Sequence, residues 1–137
     1  MARGACLVLV LLGLCSTSSD ISVEYSYISE FKAWPEAQEY CRNVHIDLAT
    51  VENMRNMRSL LKTVDPQYKG LVWIGLERGT EQRWQWSLWN SSQPITYTNW
   101  REGEPDGQGD GCGFKSDGIW TDRDCSIKSE FICFDGE

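Results

Sequence analysis

The chain has 137 residues, 41% of them hydrophobic, and sets 13 Lys and Arg against 20 Asp and Glu for a net charge of −7. That length suits one domain with a real core. Its acidity excludes the basic footprint that nucleic acid or an anionic membrane surface demands.

The first residues carry Arg3, then the apolar run Leu7-Val8-Leu9-Val10-Leu11-Leu12-Gly13-Leu14, then the small residues Cys15, Ser16, Thr17 and Ser18. This is the grammar of a cleaved signal peptide. The run is shorter than the roughly 20 apolar residues of a membrane-spanning helix. We place a signal peptide at 1–18 and one domain at 19–137, and expect secretion without a membrane anchor. Loss of Cys6 and Cys15 leaves Cys41, Cys112, Cys125 and Cys133. An even number of cysteines behind a signal peptide implies disulfides, and the lack of a C-x-x-C pair argues against zinc. Four cysteines admit three pairings, and at this point all stay open.

Val23-Glu24-Tyr25-Ser26-Tyr27-Ile28 is aromatic and β-branched and reads as a strand. Trp34-Pro35 opens a helix, with Pro35 suited to its first position and Ala37, Tyr40, Cys41 and Val44 at helical spacing. A second helix spans about Glu52 to Thr63, with an apolar stripe of Met54, Met57, Leu60, Leu61 and Val64. After Asp65-Pro66 the character changes. Leu71–Leu76 is a buried-strand run and Trp84-Gln85-Trp86 alternates as a strand does. From Asn90 to Asp117 the chain reads as loop, too long for an idle connection. Trp120 and Phe131-Ile132-Cys133-Phe134 look like closing strands. Helices first and short strands later make an α+β domain.

The loop has its own chemistry. Glu102, Glu104, Asp106, Asp110, Asp117, Asp122 and Asp124 crowd the stretch between Trp100 and Cys125 and its edges. Like charges at that density repel unless a cation neutralises them. Calcium, which takes about six to eight oxygen ligands, suits such a set. A solvated acidic loop is the competing reading.

These residues together resemble the C-type lectin-like domain family. The resemblance runs through Trp34–Cys41, Leu48-Ala49-Thr50, Trp73-Ile74-Gly75-Leu76, Tyr97-Thr98-Asn99-Trp100, Glu104-Pro105-Asp106, Cys112, Trp120-Thr121-Asp122, Cys125 and Phe131-Ile132-Cys133. It covers essentially the whole chain after the leader and is closest to the short form of the family, with two disulfides. It implies the pairings Cys41–Cys133 and Cys112–Cys125. It also implies two helices packed on short antiparallel sheets, Trp73 on a central strand, and a long calcium and ligand loop from about Leu88 to Trp120.

For the site, the resemblance implies calcium held by Glu104, Asp106, Asp110, Thr121 and Asp122, with a sugar touching Glu104, Asp106, Asp110 and Thr121. It also implies a cis Glu104-Pro105 bond. Two positions depart from the family pattern. Thr121 stands where Asn is usual and offers a shorter oxygen. Glu104-Pro105-Asp106 has two acceptors and no amide donor, so it matches neither the mannose-type nor the galactose-type triplet. Trp100, Phe114 and Trp120 are candidates to stack on a sugar face, with packing of the loop base as the competing role for Trp100 and Trp120.

The resemblance thus implies a calcium-dependent, carbohydrate-binding secreted lectin, with a part in innate recognition of microbial glycans. The alternatives within the same fold are a calcium-independent module that binds a protein surface, and an ice-binding or toxin-like specialisation. Nothing pairs His45 with a nucleophile, and the paired carboxylates belong to the calcium pattern, so we expect no enzyme. Asn90-Ser91-Ser92 is an N-glycosylation sequon. With no collagen-like or coiled-coil stretch, multivalency would come from homo-oligomers.

Overall fold

The computed structural model describes residues 23–68, 70–79, 83–89, 93–105 and 111–136. The leader, the Asn90 sequon, Asp106 and Asp110 lie outside the described residues. The elements run β1 (Glu24–Lys32), α1 (Trp34–Val44), β2 (Asp47–Leu48), α2 (Met54–Leu61), β3 (Val72–Arg78), β4 (Trp84–Trp86), β5 (Cys112–Ser116), β6 (Ile119–Arg123) and β7 (Ser129–Gly136).

Local chemistry explains the helix ends. Pro35 occupies the first turn of α1, where its missing N–H costs nothing. Asn53 caps α2: its side-chain oxygen accepts the Asn56 N–H at 2.8 Å, while the Asn56 side chain accepts the Glu52 N–H at 2.9 Å. The cap starts α2 at Met54, where the apolar stripe begins and two residues after the expected boundary at about Glu52. Of that stripe, Met57, Leu60 and Val64 are buried, while Met54 and Leu61 are exposed. On α1, Trp34, Ala37 and Cys41 face inward and Val44 faces solvent.

The strands join in one mixed sheet of order β1-β7-β3-β5-β6, with β2 added to β7 and β4 to β3. The expectation of antiparallel sheets is corrected at its centre. β3 runs parallel to β7, with Val72 opposite Glu130 and Trp73 opposite Phe131. The loop reading is also corrected: Cys112–Ser116 is β5, paired with both β3 and β6. Its hairpin to β6 turns on Asp117 and Gly118, with φ of 54° and 84°. Two successive left-handed residues make the tight turn whose twist suits a hairpin.

Alternation along β3 divides the core in two. Val72, Ile74 and Leu76 pack with Met57, Leu60, Trp86, Trp120 and Ile132 on the α2 side. Trp73 packs with Trp34, Ala37, Leu48, Phe114 and Phe131 on the α1 side. The disulfides are Cys41–Cys133 and Cys112–Cys125, closing separations of 92 and 13 residues. On chain entropy they contribute about 4–5 and about 3 kcal/mol.

At Gly113 β5 crosses β3 so closely that a Cβ would meet Leu76 Cβ at 2.6 Å. We expect Gly113→Ala to cost about 1–3 kcal/mol, because the strands must part to admit the methyl. Urea unfolding should show a lower midpoint with an unchanged slope; a midpoint equal to that of the unaltered protein would show that the contact yields freely.

Candidate functional site

The candidate site is built around β6. Trp120 is fully buried and lies edge-on to Trp86 at 5.5 Å, Tyr97 at 5.8 Å and Trp100 at 5.8 Å between ring centroids. Its backbone N–H donates to the Asn99 carbonyl at 2.9 Å, and its carbonyl accepts the Arg101 N–H at 2.8 Å. Residues 99–101 therefore lie along β6 as an extra, parallel line. The Glu104 N–H then donates to the Arg101 carbonyl at 2.8 Å across a turn that uses Gly103 at φ 86°. The Glu104–Pro105 peptide is cis.

The turn that holds Glu104 is thus tied to β6 at Trp120, the residue that precedes Thr121 and Asp122 in the chain. Thr121 is 1% exposed, sits opposite Phe114 on β5, and its hydroxyl has no hydrogen-bond partner among the described residues. Asp122 is fully buried. Its backbone carbonyl accepts from Arg123 Nη1 at 2.7 Å, and its Oδ2 faces Arg78 Nη2 at 3.8 Å. Asp106 and Asp110, the other expected ligands, lie outside the described residues. The Gly111 carbonyl, next in the chain after Asp110, accepts the Arg78 N–H at 2.7 Å.

Stacking candidates are sorted by burial. Phe114 and Trp120 are fully buried and have no face for a sugar. Trp100 is half-buried and meets Trp84 edge-on at 4.9 Å between ring centroids. Packing the loop base is the role of Trp120, and Trp100 shares it.

Arg78 is absent from the residues singled out by sequence. A signal was available in strand parity. Leu76 pairs with Trp86 and Arg78 with Trp84, so Arg78 shares the face of the aromatic cluster. Its guanidinium lies 5.6 Å from the Trp84 ring centroid, within cation–π range. The neighbouring Glu77 pairs with Gln85 and belongs to the opposite face. Burial raises its carboxyl above the usual range, with Asp47 adding to the rise and Gln85 and Arg42 opposing it.

On that opposite face the polar residues satisfy one another. Arg42 Nε donates to Asp47 Oδ2 at 3.0 Å, and Gln38 donates to the Ser87 hydroxyl at 2.7 Å. His45 ends α1 and contacts Asp135.

By donor type the site fits calcium. Glu104, Thr121 and Asp122 are hard oxygen donors, and a buried hydroxyl with no partner among the described residues calls for a further group to satisfy it. The described residues alone do not complete a site: among them no group of three His, Cys, Asp or Glu is placed to share a metal.

Comparison with known proteins gives a consistent family. The model of the Lectin C-type domain matches residues 30–134. Over 106 residues the chain is 31% identical to C-type mannose receptor 2 of Mus musculus, covering 74% of this chain but 7% of that receptor's length. It is 28% identical to Snaclec 5 of Bitis arietans, covering 93% of this chain and 91% of that protein. Among solved structures, the cow C-type carbohydrate-recognition domain of CD23, crystallised in the presence of a GlcNAc2Man3 oligosaccharide, aligns with a TM-score of 0.71 at 25% identity. That alignment covers 89% of this chain and 98% of the CD23 chain.

The buried Thr121 hydroxyl yields a direct test. With calcium removed by chelator, Thr121→Val should leave stability unchanged or raise it by up to about 1 kcal/mol, since the valine removes an orphaned hydroxyl at nearly constant volume. Denaturant unfolding in chelator reads this, and a loss greater than about 1 kcal/mol would mean that the hydroxyl bonds to the protein.

Proposed function

The chain belongs to the C-type lectin domain family, and from that membership we propose that it is a secreted lectin that binds carbohydrate through calcium. One observation carries the reading. The Thr121 hydroxyl, with no partner among the described residues, and the Asp122 carboxylate lie buried on β6, with the Glu104 turn tied to the same strand through Arg101 and Trp120. In this reading Glu104, Asp106, Asp110, Thr121 and Asp122 hold the ion. Bound calcium would offer open coordination positions to neighbouring hydroxyls of a sugar ring.

The residues around it do the recognition. Glu104 and Asp106 accept hydrogen bonds from those hydroxyls, and Asp110 and Thr121 complete the contact. Because the triplet holds two acceptors and no amide donor, it favours sugar hydroxyls acting as donors and selects neither mannose-type nor galactose-type sugars. The CD23 domain, crystallised in the presence of an oligosaccharide, supports a glycan as the ligand class. The apolar leader and the two disulfides support an oxidising, extracellular setting. Glycosylation at Asn90, homo-oligomers and recognition of microbial glycans belong to the same proposal. Binding without catalysis is the family's ordinary role.

A second reading has an observation of its own. Arg78 already faces Asp122, and Thr121 replaces the longer Asn of the family pattern. Both favour a calcium-independent module that binds a protein surface.

Calorimetric titration with calcium, joined to a glycan array, separates the two. The lectin reading expects calcium binding, glycan signals abolished by chelator, and at least about tenfold weaker calcium binding in Asp122→Asn, equivalent to about 1.4 kcal/mol. Absence of calcium heat together with a blank array would leave the protein-binding module in its place.

A further inference from the structure

We propose that Arg78 is the resident cation of the candidate site, neutralising Asp122 and holding its carboxylate in position when no metal is bound. The inference concerns the same residues as the proposed function but does not require that calcium bind there.

Asp122 is fully buried, and a carboxylate in that setting is strongly unfavourable unless a positive charge or hydrogen-bond donors meet it. Arg78 Nη2 lies 3.8 Å from Asp122 Oδ2, long for a hydrogen bond but well within Coulomb range in a medium less polar than water. Arg78 is held through both its backbone and its side chain. The register sets its backbone opposite Trp84, its backbone N–H donates to the Gly111 carbonyl, and its guanidinium lies 5.6 Å from the centroid of the Trp84 ring. Arg78 has 20% of its side chain exposed, so the cation keeps part of its hydration while serving a fully buried anion. Arg123 adds to the pattern by donating to the Asp122 carbonyl at 2.7 Å. Both kinds of oxygen on Asp122 thus face a guanidinium.

Two consequences follow. The shape of β6 at Asp122 persists without metal, because an internal charge does what calcium would do. Any metal that uses Asp122 must compete with Arg78, so Arg78 sets the affinity and the degree of metal dependence as a positioning residue.

The test is a double-mutant cycle on the full chain, followed by thermal melting in chelator and in excess calcium. It compares the unaltered protein, Arg78→Gln, Asp122→Asn and the two together. In chelator, Arg78→Gln should lower Tm by about 5–10 °C, and adding Asp122→Asn should restore most of that loss. In calcium, Arg78→Gln alone should regain stability and show a larger calcium-induced rise than the unaltered protein. Calorimetry should find its calcium binding at least about tenfold tighter.

Strictly additive effects in chelator, or an Arg78→Gln protein that melts as the unaltered one does, would overturn the proposal. If calcium moves the Tm of no variant, the calcium reading falls while the coupling in chelator still decides the role of Arg78. If Arg78→Gln does not fold, recovery of the double variant is the same coupling in stronger form, and loss of both overturns it.

Discussion

Trp120 is buried with three aromatic rings set edge-on around it, and its backbone N–H and carbonyl are both used by residues 99 and 101. Everything placed at the candidate site depends on that anchoring. Each such aromatic pair is worth about 0.5–1.5 kcal/mol beyond the area it buries. The pairing matters as much as the energy. An edge strand such as β6 exposes unpaired groups that invite foreign strands, and the line 99–101 covers them at Trp120. The same hydrogen bonds set where Glu104 begins. A loop of acidic residues therefore leaves the sheet from a fixed point rather than from a free end.

The two sides of β3 divide the labour. Both disulfides belong to the α1 side, where Cys41, Cys112 and Cys133 pack with Trp34, Trp73, Phe114 and Phe131. The aromatic cluster that supports the site lies on the α2 side with Trp86 and Trp120. Covalent staples thus restrain one face, while Asp122, which shares the strand parity of Trp120, and its counter-charge Arg78 belong to the other. Gly113 connects the two, since only a residue without a Cβ lets β5 press against Leu76 and bring Cys112 to its partner.

Much of this was legible in the residues themselves. A continuous apolar run located β3 and alternation located β4, Pro35 marked the start of α1, and the cysteine pattern with the Trp73-Ile74-Gly75-Leu76 run pointed to the family. What escaped was non-local. β5 offers only a short alternation, with Cys112 and Phe114 as its two apolar members and Gly113 and Lys115 between and after them; it becomes a strand by pairing on both sides with β3 and β6. The parallel pairing of β3 with β7 joins segments far apart in the chain, and propensity carries no information about strand direction. Phe114 looked available to a sugar because exposure in a presumed loop was assumed, whereas it is fully buried against Trp73, the two rings tilted by 45°. At the site, the spacing of Asp122 from Cys125 was readable, but its counter-charge was not. Arg78 reaches Asp122 only once β3, β4 and β6 are assembled.

That counter-charge changes how the departures from the family pattern combine. Thr121 is β-branched and lies opposite Phe114 in a buried strand, a setting where such side chains pack well. An Asn at that position would reach further with its oxygen but would suit the strand less. Arg78 likewise serves the fold by compensating a charge that would otherwise oppose the burial of β6. Both residues shift stabilisation from a bound ion to the chain itself. A site held together in this way is organised before any ligand arrives, which lowers the ordering cost of binding. The same organisation makes each oxygen harder to withdraw for a metal. If calcium binds as proposed, affinity for it and independence from it are set against each other at one carboxylate, Asp122, by the distance at which Arg78 is held.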